Sequence, residues 1–126
     1  MNQLQKIKNR NKFLQLVRVS NRHINCLRWG VNETIDHVMT KLELCWDLKS
    51  KKISFITEVI FNDKGRADIL SLDDGVIFEI MKTEDIEKAK KKLNYYPKEC
   101  KVIFVKCDEK KDLKFKGFNH RLSKSG

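Results

Sequence analysis

The chain has 126 residues, with 27 Lys or Arg against 17 Asp or Glu, and therefore a formal net charge of +10 at pH 7. This length suits one domain, and a hydrophobic content of 40% is enough for its core, so a disordered chain is excluded. No apolar run approaches the roughly 20 residues of a membrane span and no apolar signal core begins the chain, so we expect an intracellular protein with no membrane partner.

The first segment, residues 1–31, is predicted to be a basic lead-in. Residues 1–30 carry seven Lys or Arg and no acid. Leu4, Ile7, Leu14 and Val17 fit the spacing of a helix, whereas Phe13–Val19 also fits a short strand, and the pattern leaves both open. A second basic segment, the C-terminal tail 108–126, holds six bases and three acids.

Basic ends on a neutral centre favour a polyanionic partner. Each Lys or Arg placed against a phosphate releases condensed counterions, which makes nucleic acid the first candidate partner. An anionic membrane surface ranks second to nucleic acid by this argument, and it is not the partner that we expect. The alternative is that these charges serve solubility alone.

The core domain is predicted to span residues 32–107 and to begin with an amphipathic helix over Asn32–Asp47. Six apolar residues recur there at spacings of three and four, namely Ile35, Val38, Met39, Leu42, Cys45 and Trp46. Asn32 is the predicted N-cap, and acids in the first turn suit the positive end of the helix dipole.

An antiparallel meander follows this helix. Its three predicted strands are Ile53–Phe61, Arg66–Leu72 and Val76–Met81. Gly65 and Gly75 stand in the intervening turns, where tight hairpin loops require positive φ angles.

A second helix and a last strand complete the predicted core. Thr83 is the expected cap of the helix, Ile86, Ala89 and Leu93 are expected on its core face, and Pro97 closes it. The strand Lys101–Cys107 comes last. The order is helix, three strands, helix and strand (αβββαβ), which predicts an α/β domain with a mixed central sheet flanked by helices.

Two acids lie within apolar strands of the meander, Asp68 and Glu79. A lone carboxylate among apolar residues has a desolvation cost, so it usually has a partner such as a cation. Two carboxylates on adjacent strands, with a neighbouring carbonyl, suit Mg²⁺. We therefore expect Asp68, Glu79 and the carbonyl of Ile80 to hold Mg²⁺, for which Mn²⁺ can substitute.

These residues and the order of elements resemble the PD-(D/E)XK nuclease superfamily, which includes restriction endonucleases and archaeal Holliday-junction resolvases. The resemblance rests on Gly65-Arg66-Ala67-Asp68, on Glu79-Ile80-Met81-Lys82, and on the element order from Asn32 to Cys107. It implies a restriction endonuclease-like core and metal-dependent hydrolysis of DNA phosphodiester bonds, selective for structure rather than for sequence. It also implies a homodimer, because such nucleases often pair two active sites.

The lysine of this motif departs from the family pattern. The family needs Glu and Lys two residues apart, whereas Met81 holds that position here and Lys82 comes one residue later. In a regular strand Lys82 would face the opposite side. Three explanations stay open: a β-bulge at Met81 that re-aims Lys82, a substitute lysine such as Lys41 or Lys88, or a site that no longer cleaves.

The first helix supplies further candidates, because Glu33, His37 and Lys41 are spaced to share one helix side. The resemblance implies that Glu33 is catalytic, supporting a second metal or a water. His37 and Lys41 resemble the His-x-x-x-Lys of some archaeal relatives, and a solvated helix edge is the alternative. For Glu58, we expect a salt bridge to Arg66 or Lys82 ahead of a metal role.

Two alternatives to a nuclease remain. The first is an inactive nuclease-like fold that binds nucleic acid or assembles a complex. The second is a small RNA-binding protein, for which Tyr95 and Tyr96 are candidates to stack on bases, although packing at the end of the second helix is the commoner role.

Overall fold

The computed structural model describes residues 2–63 and 65–107, so the predicted basic tail 108–126 lies outside the described residues. The described helices and strands, in chain order, are α1 (Gln3–Leu14), α2 (Ile35–Ser50), β1 (Phe55–Ile60), β2 (Arg66–Ser71), β3 (Val76–Met81), α3 (Thr83–Lys90) and β4 (Lys101–Lys106). The predicted α/β class with a mixed sheet is therefore confirmed. Each described helix is too short or too polar to cross a membrane.

The four described strands form one sheet in the order β1-β2-β3-β4. β1, β2 and β3 pair antiparallel, as the meander prediction required, and β4 pairs parallel to β3 after the crossover through α3. Gly65 and Gly75 have φ angles of +91° and +70°, and each lies in the turn where the sequence predicted it. These turns set the register of the meander.

The helix boundaries differ from the predicted ones. Thr34, not Asn32, is the N-cap of α2, and its side chain accepts a hydrogen bond from the His37 amide. Glu33 lies before the helix because its Oε1 accepts the Gly30 N–H at 2.8 Å, which closes a turn ahead of α2. Similarly, Thr83 is the first residue of α3, with Lys82 at the N-cap position.

α3 covers less of the core than the sequence predicted. It ends at Lys90, and none of its described residues is fully buried. Ile86 and Ala89 are half-buried, whereas Leu93 lies beyond the helix and is 43% exposed. Leu93 is therefore not a core residue of α3.

The N-terminal segment packs into the core rather than preceding it. Phe13 on α1 and Val17 after it belong to the same buried cluster as Ile56 and Leu70 of the sheet. Val17 also forms an antiparallel bridge with Phe61. The helical alternative is thus realised up to Leu14, whereas the strand alternative over Phe13–Val19 is not, apart from this isolated bridge at Val17.

Candidate active site

An irregular backbone at Glu58 determines where the acids of the sheet point. Glu58 has a φ angle of +51° inside β1, a conformation that is rare for a residue with a β-carbon. The buried Asn21 side chain holds this backbone, since its Nδ2 donates to the Glu58 carbonyl at 2.9 Å and its Oδ1 accepts the Ile60 N–H at 2.7 Å.

The irregularity changes which side of the sheet each residue faces. Ile56 and Val59 enter the same core cluster although they are three residues apart, and Ala67 and Leu70 on β2 do the same. Strict alternation along a strand forbids this arrangement. Between these pairs, Glu58 and Asp68 are directed toward the N-terminal half of α2, where they meet Lys41 and His37.

β2 and β3 separate at the two predicted acids. Ladder pairing between the strands stops at Ile69 opposite Phe78. Beyond it, Asp68 Oδ2 accepts the Ile80 N–H at 2.7 Å, and Glu79 Oε1 accepts the Asp68 N–H at 3.0 Å. The carboxylates thus replace the missing ladder bonds, and the residues predicted to form one site do lie together.

Residues at the start of α2 reach the same acids. His37 Nδ1 lies 2.7 Å from Glu33 Oε2, and its Nε2 lies 3.2 Å from Asp68 Oδ2. His37 therefore bridges the helix and the sheet. The expectation that Glu33, His37 and Lys41 converge on the acidic site agrees with these contacts.

Lys41 lies at the centre of the cluster and has no exposed surface. Its Nζ donates to Glu33 Oε1 and to Glu58 Oε1, each at 2.7 Å, and to the Arg28 carbonyl at 3.0 Å. The prediction that Glu58 pairs with Arg66 or Lys82 was wrong. The cation that pairs with Glu58 comes from α2 because the backbone at Glu58 turns that side chain toward the helix.

Lys82 lies apart from the cluster. β3 and β4 pair in an unbroken parallel register from Val76 opposite Lys101 to Met81 opposite Lys106, which excludes a bulge at Met81. Lys82 is exposed at the N-cap of α3, and Lys88 is exposed on that helix. The ion pairs that described residues make with the acids of this site come from His37 and Lys41 instead.

The buried position of Glu79 changes its protonation. Burial, together with the nearby charge of Asp68, raises the pKa of Glu79 to about 7. The Tyr96 side chain hydrogen-bonds to Glu79, and burial beside these acids raises the pKa of the Tyr96 hydroxyl. Two carboxylates this close favour a cation between them or a shared proton.

The groups around Lys41 differ from one another in the direction of their pKa shifts. Burial alone would raise the pKa of Glu33, but hydrogen bonds from its neighbours lower it to about 2. Burial and the neighbouring Glu33 raise the pKa of Glu58. Burial alone would lower the pKa of His37, whereas its bonds to Asp68 and Glu33 raise it to about 9, so His37 is a cation at neutral pH.

A pocket of about 470 Å³ opens onto these side chains. Its lining includes Glu33, His37, Glu58 and Asp68, together with the loop that begins at Gly30. Glu33, Glu58 and Asp68 are therefore within reach of a ligand from solvent through this pocket, whereas Glu79 lies behind Asp68 and does not line it.

The donor set of Asp68 and Glu79 fits a hard cation. The bonds that described residues make to the Asp68 carboxylate go to Oδ2, which leaves Oδ1 as a hard ligand. Glu79 accepts the Asp68 N–H on Oε1 and also bonds to the Tyr96 side chain, so a cation would share this carboxylate with the tyrosine. Mg²⁺ often binds through only one or two carboxylates and keeps several waters. Within residues 2–63 and 65–107, no group of three or more His, Cys, Asp or Glu is arranged to hold a metal, so a cation here would depend on this pair.

Two contributors to the cluster were not identified from the sequence. Asn21 carries no motif, and its importance follows from the φ angle of a residue far along the chain. Tyr96 was considered only for stacking or packing, and its contact with Glu79 arises from the return of the chain after α3. No family model, curated protein or solved structure matches this chain.

Proposed function

We propose that this protein is a metal-dependent nuclease of the PD-(D/E)XK type that hydrolyses phosphodiester bonds, with DNA as its first candidate substrate. One observation carries the proposal. Asp68 and Glu79 meet where β2 and β3 separate, and Asp68 lines a pocket together with Glu33 and the cationic His37. A homodimer that pairs two such sites is part of the proposal.

Asp68 and Glu79 are the proposed metal-holding residues, with the Ile80 carbonyl beside them. A bound Mg²⁺ or Mn²⁺ would supply Lewis-acid stabilisation of the phosphate charge and a water of lowered pKa. Asp68 is oriented for this by the Ile80 N–H, and Glu79 by the Asp68 N–H. These bonds fix both carboxylates before any ligand arrives, which is the preorganisation that electrostatic catalysis requires.

His37 takes the place of the displaced lysine in this proposal. It is positively charged at neutral pH and contacts Asp68 directly, whereas Lys82 is exposed at the start of α3. Lys41 is a positioning residue, because all three of its ammonium protons are used by Glu33, Glu58 and the Arg28 carbonyl. Glu33 in turn orients His37 through Nδ1.

Cleavage of labelled single-stranded, branched and duplex DNA tests the proposal, with Mg²⁺, Mn²⁺ or EDTA present. Asp68→Asn and Glu79→Gln are each expected to lower the rate of metal-dependent cleavage by more than about 100-fold. The matched control is Glu87→Gln, since Glu87 is an exposed acid on α3 whose ion pair within the described part of the chain is to Lys90. Equal loss in all three variants would contradict the assignment of the site.

A second function is favoured by the exposed position of Lys82. A nuclease-like fold without its catalytic lysine can hold nucleic acid or assemble a complex without cutting. The same experiment separates the two functions. Binding of DNA by the native chain with no cleavage in either metal would select the binding protein.

A further inference from the structure

Trp29 is an exposed aromatic side chain on a firmly held loop beside the acidic site. The indole is 60% exposed, and Val31 two residues later is fully exposed. The loop backbone is fixed on both sides of Trp29: the Arg28 N–H donates to Thr57 Oγ1 at 2.9 Å, and the Gly30 N–H donates to Glu33 at 2.8 Å. The backbone that carries the indole is therefore held by Thr57 of β1 and by Glu33 of the acidic site.

Two arginines that form no ion pair with the described residues stand next to this indole. A second pocket of about 220 Å³ is lined by Arg28, Trp29 and Arg66, and it shares Gly30 and Glu58 with the acidic pocket. Arg28 and Arg66 are both exposed, and the ion pairs of the described residues involve neither of them. Free guanidinium groups beside an exposed aromatic ring match a phosphate and the base attached to it.

The other tryptophan of the chain, Trp46, is also exposed but lacks the surroundings of Trp29. Trp46 on α2 is equally exposed, at 63%, but the ammonium of Lys49 lies 5.3 Å from the centre of its ring. Trp46 lines none of the pockets described around the acidic site. Exposure of an indole is thus not by itself a binding site here, and Trp29 differs by its fixed loop, its arginines and its adjacency to the acids.

We propose that Trp29 stacks on an unpaired base of a single-stranded nucleic acid while Arg28 and Arg66 hold the neighbouring phosphates, which presents the next phosphodiester to Asp68 and Glu79. This inference rests on the proposed function and names its substrate class. A base inside a duplex has both faces covered by its neighbours, so an indole can stack on it only after it is unstacked. The site therefore selects single strands or the unpaired arms of branched molecules.

Tryptophan fluorescence tests the stacking directly, because the chain has two tryptophans. In Trp46→Phe, the tryptophan emission comes only from Trp29. In Trp29→Phe, it comes only from Trp46. Each full-length variant is titrated, in EDTA, with oligothymidylate or oligouridylate of about ten nucleotides or with a blunt duplex of similar length. We expect single strands to quench Trp29 strongly, the duplex to leave it unchanged, and Trp46 to respond to neither.

Affinity gives a second readout. Trp29→Ala is expected to weaken binding of the single strand by about 5- to 100-fold and to leave binding of the duplex unchanged, whereas Trp46→Ala changes neither. Arg28→Gln and Arg66→Gln are each expected to lower the slope of log affinity against log salt by about one. Preference for thymidylate or for uridylate decides between DNA and RNA.

The outcomes separate this inference from the proposed function. Quenching of Trp29 without cleavage in Mg²⁺ or Mn²⁺ supports the stacking site and rejects the nuclease. Cleavage without quenching supports the nuclease and overturns the stacking site. Single-strand binding that is equally tight in Trp29→Ala and Trp46→Ala also overturns it.

Discussion

Lys41 is a lysine with no exposed surface whose ammonium group lies between two glutamates. An isolated buried ammonium would be strongly unfavourable, so Glu33, Glu58 and the Arg28 carbonyl are required to compensate for its desolvation. These bonds raise the pKa of Lys41 even though burial alone would lower it. The residue is therefore a permanent cation that fixes the helix side of the site.

Replacement of Lys41 is expected to lower the stability of the folded protein strongly. Lys41→Met leaves Glu33 and Glu58 facing each other without their counter-charge, and we expect the free energy of unfolding to fall by about 2–4 kcal/mol. The control is Lys51→Met, because the pair between Lys51 and Asp47 is exposed and is expected to contribute less than about 0.5 kcal/mol. Urea denaturation of both variants measures the difference. Similar losses would show that Lys41 is not a central structural cation.

The charge of His37 makes part of the stability depend on pH. Its pKa in the folded protein, about 9, is higher than the ordinary value of 6.5. The resulting stabilisation is fully present below pH 6.5 and is lost as the pH rises through about 9.

Comparison of the native chain with His37→Gln isolates this contribution. In EDTA, the difference in unfolding free energy between the two proteins is expected to shrink by roughly 2–3 kcal/mol between about pH 6 and pH 10. Urea denaturation at several pH values measures it. A difference that stays constant across this range would show that His37 is not held as a cation by Asp68 and Glu33.

Among the secondary-structure elements, α1 depends on one turn of the sheet. The Phe13 ring packs directly over Gly75, the positive-φ residue between β2 and β3. At the same turn, Arg10 pairs with Asp73 at 2.7 Å and the Asn9 side chain donates to the Asp73 carbonyl. A helix whose apolar face is short can therefore dock, because the glycine lets an aromatic ring approach the backbone.

Addition of a single methyl group at this turn tests the docking. In Gly75→Ala, the new β-carbon would collide with the Phe13 ring and adopt an unfavourable φ of +70°. We expect a loss of about 2–4 kcal/mol in the free energy of unfolding, measured by thermal or urea denaturation.

The control for this change is the same substitution at a glycine where the new β-carbon makes only ordinary van der Waals contacts. In Gly30→Ala, the nearest side-chain atom to the new β-carbon lies 3.7 Å away, and stability is expected to stay within about 0.5 kcal/mol of the native value. If Gly75→Ala were equally harmless, the docking of α1 over this turn would be wrong.

For the molecule as a whole, the charge predicts how a nucleic acid would bind. The net charge is +10, and the first 30 residues contain Lys and Arg but no Asp or Glu. Because backbone contacts release counterions, affinity for a single strand is expected to fall steeply with salt.

The salt dependence has a definite expected size. If about four to six phosphates are contacted, the dissociation constant for oligothymidylate rises about 50- to 300-fold between roughly 50 and 200 mM salt. Fluorescence anisotropy measures it, and a peptide nucleic acid of the same bases, which lacks backbone charge, serves as the control. An affinity that does not change with salt would contradict a role of the basic charge in binding.

Local patterns in the sequence determined most of the elements of this protein. β3 was predicted with its observed bounds, β1, β2 and β4 differ at their ends, and the turns fall at Gly65 and Gly75. Alternation along a strand and the spacing on a helix involve only neighbouring residues, so they can be read directly. Asp68 and Glu79 lie close together because β2 and β3 are adjacent antiparallel strands joined by the turn at Gly75.

Only the tertiary structure decided how these acids are directed and which cations they meet. The φ angle at Glu58 is maintained by Asn21, and the partner of Glu58 is Lys41 rather than Arg66 or Lys82. The contact of Tyr96 with Glu79 depends likewise on the path of the chain after α3. These outcomes depend on bonds between residues far apart in the chain, and a local pattern contains no information about which distant side chain compensates for a strained or buried group.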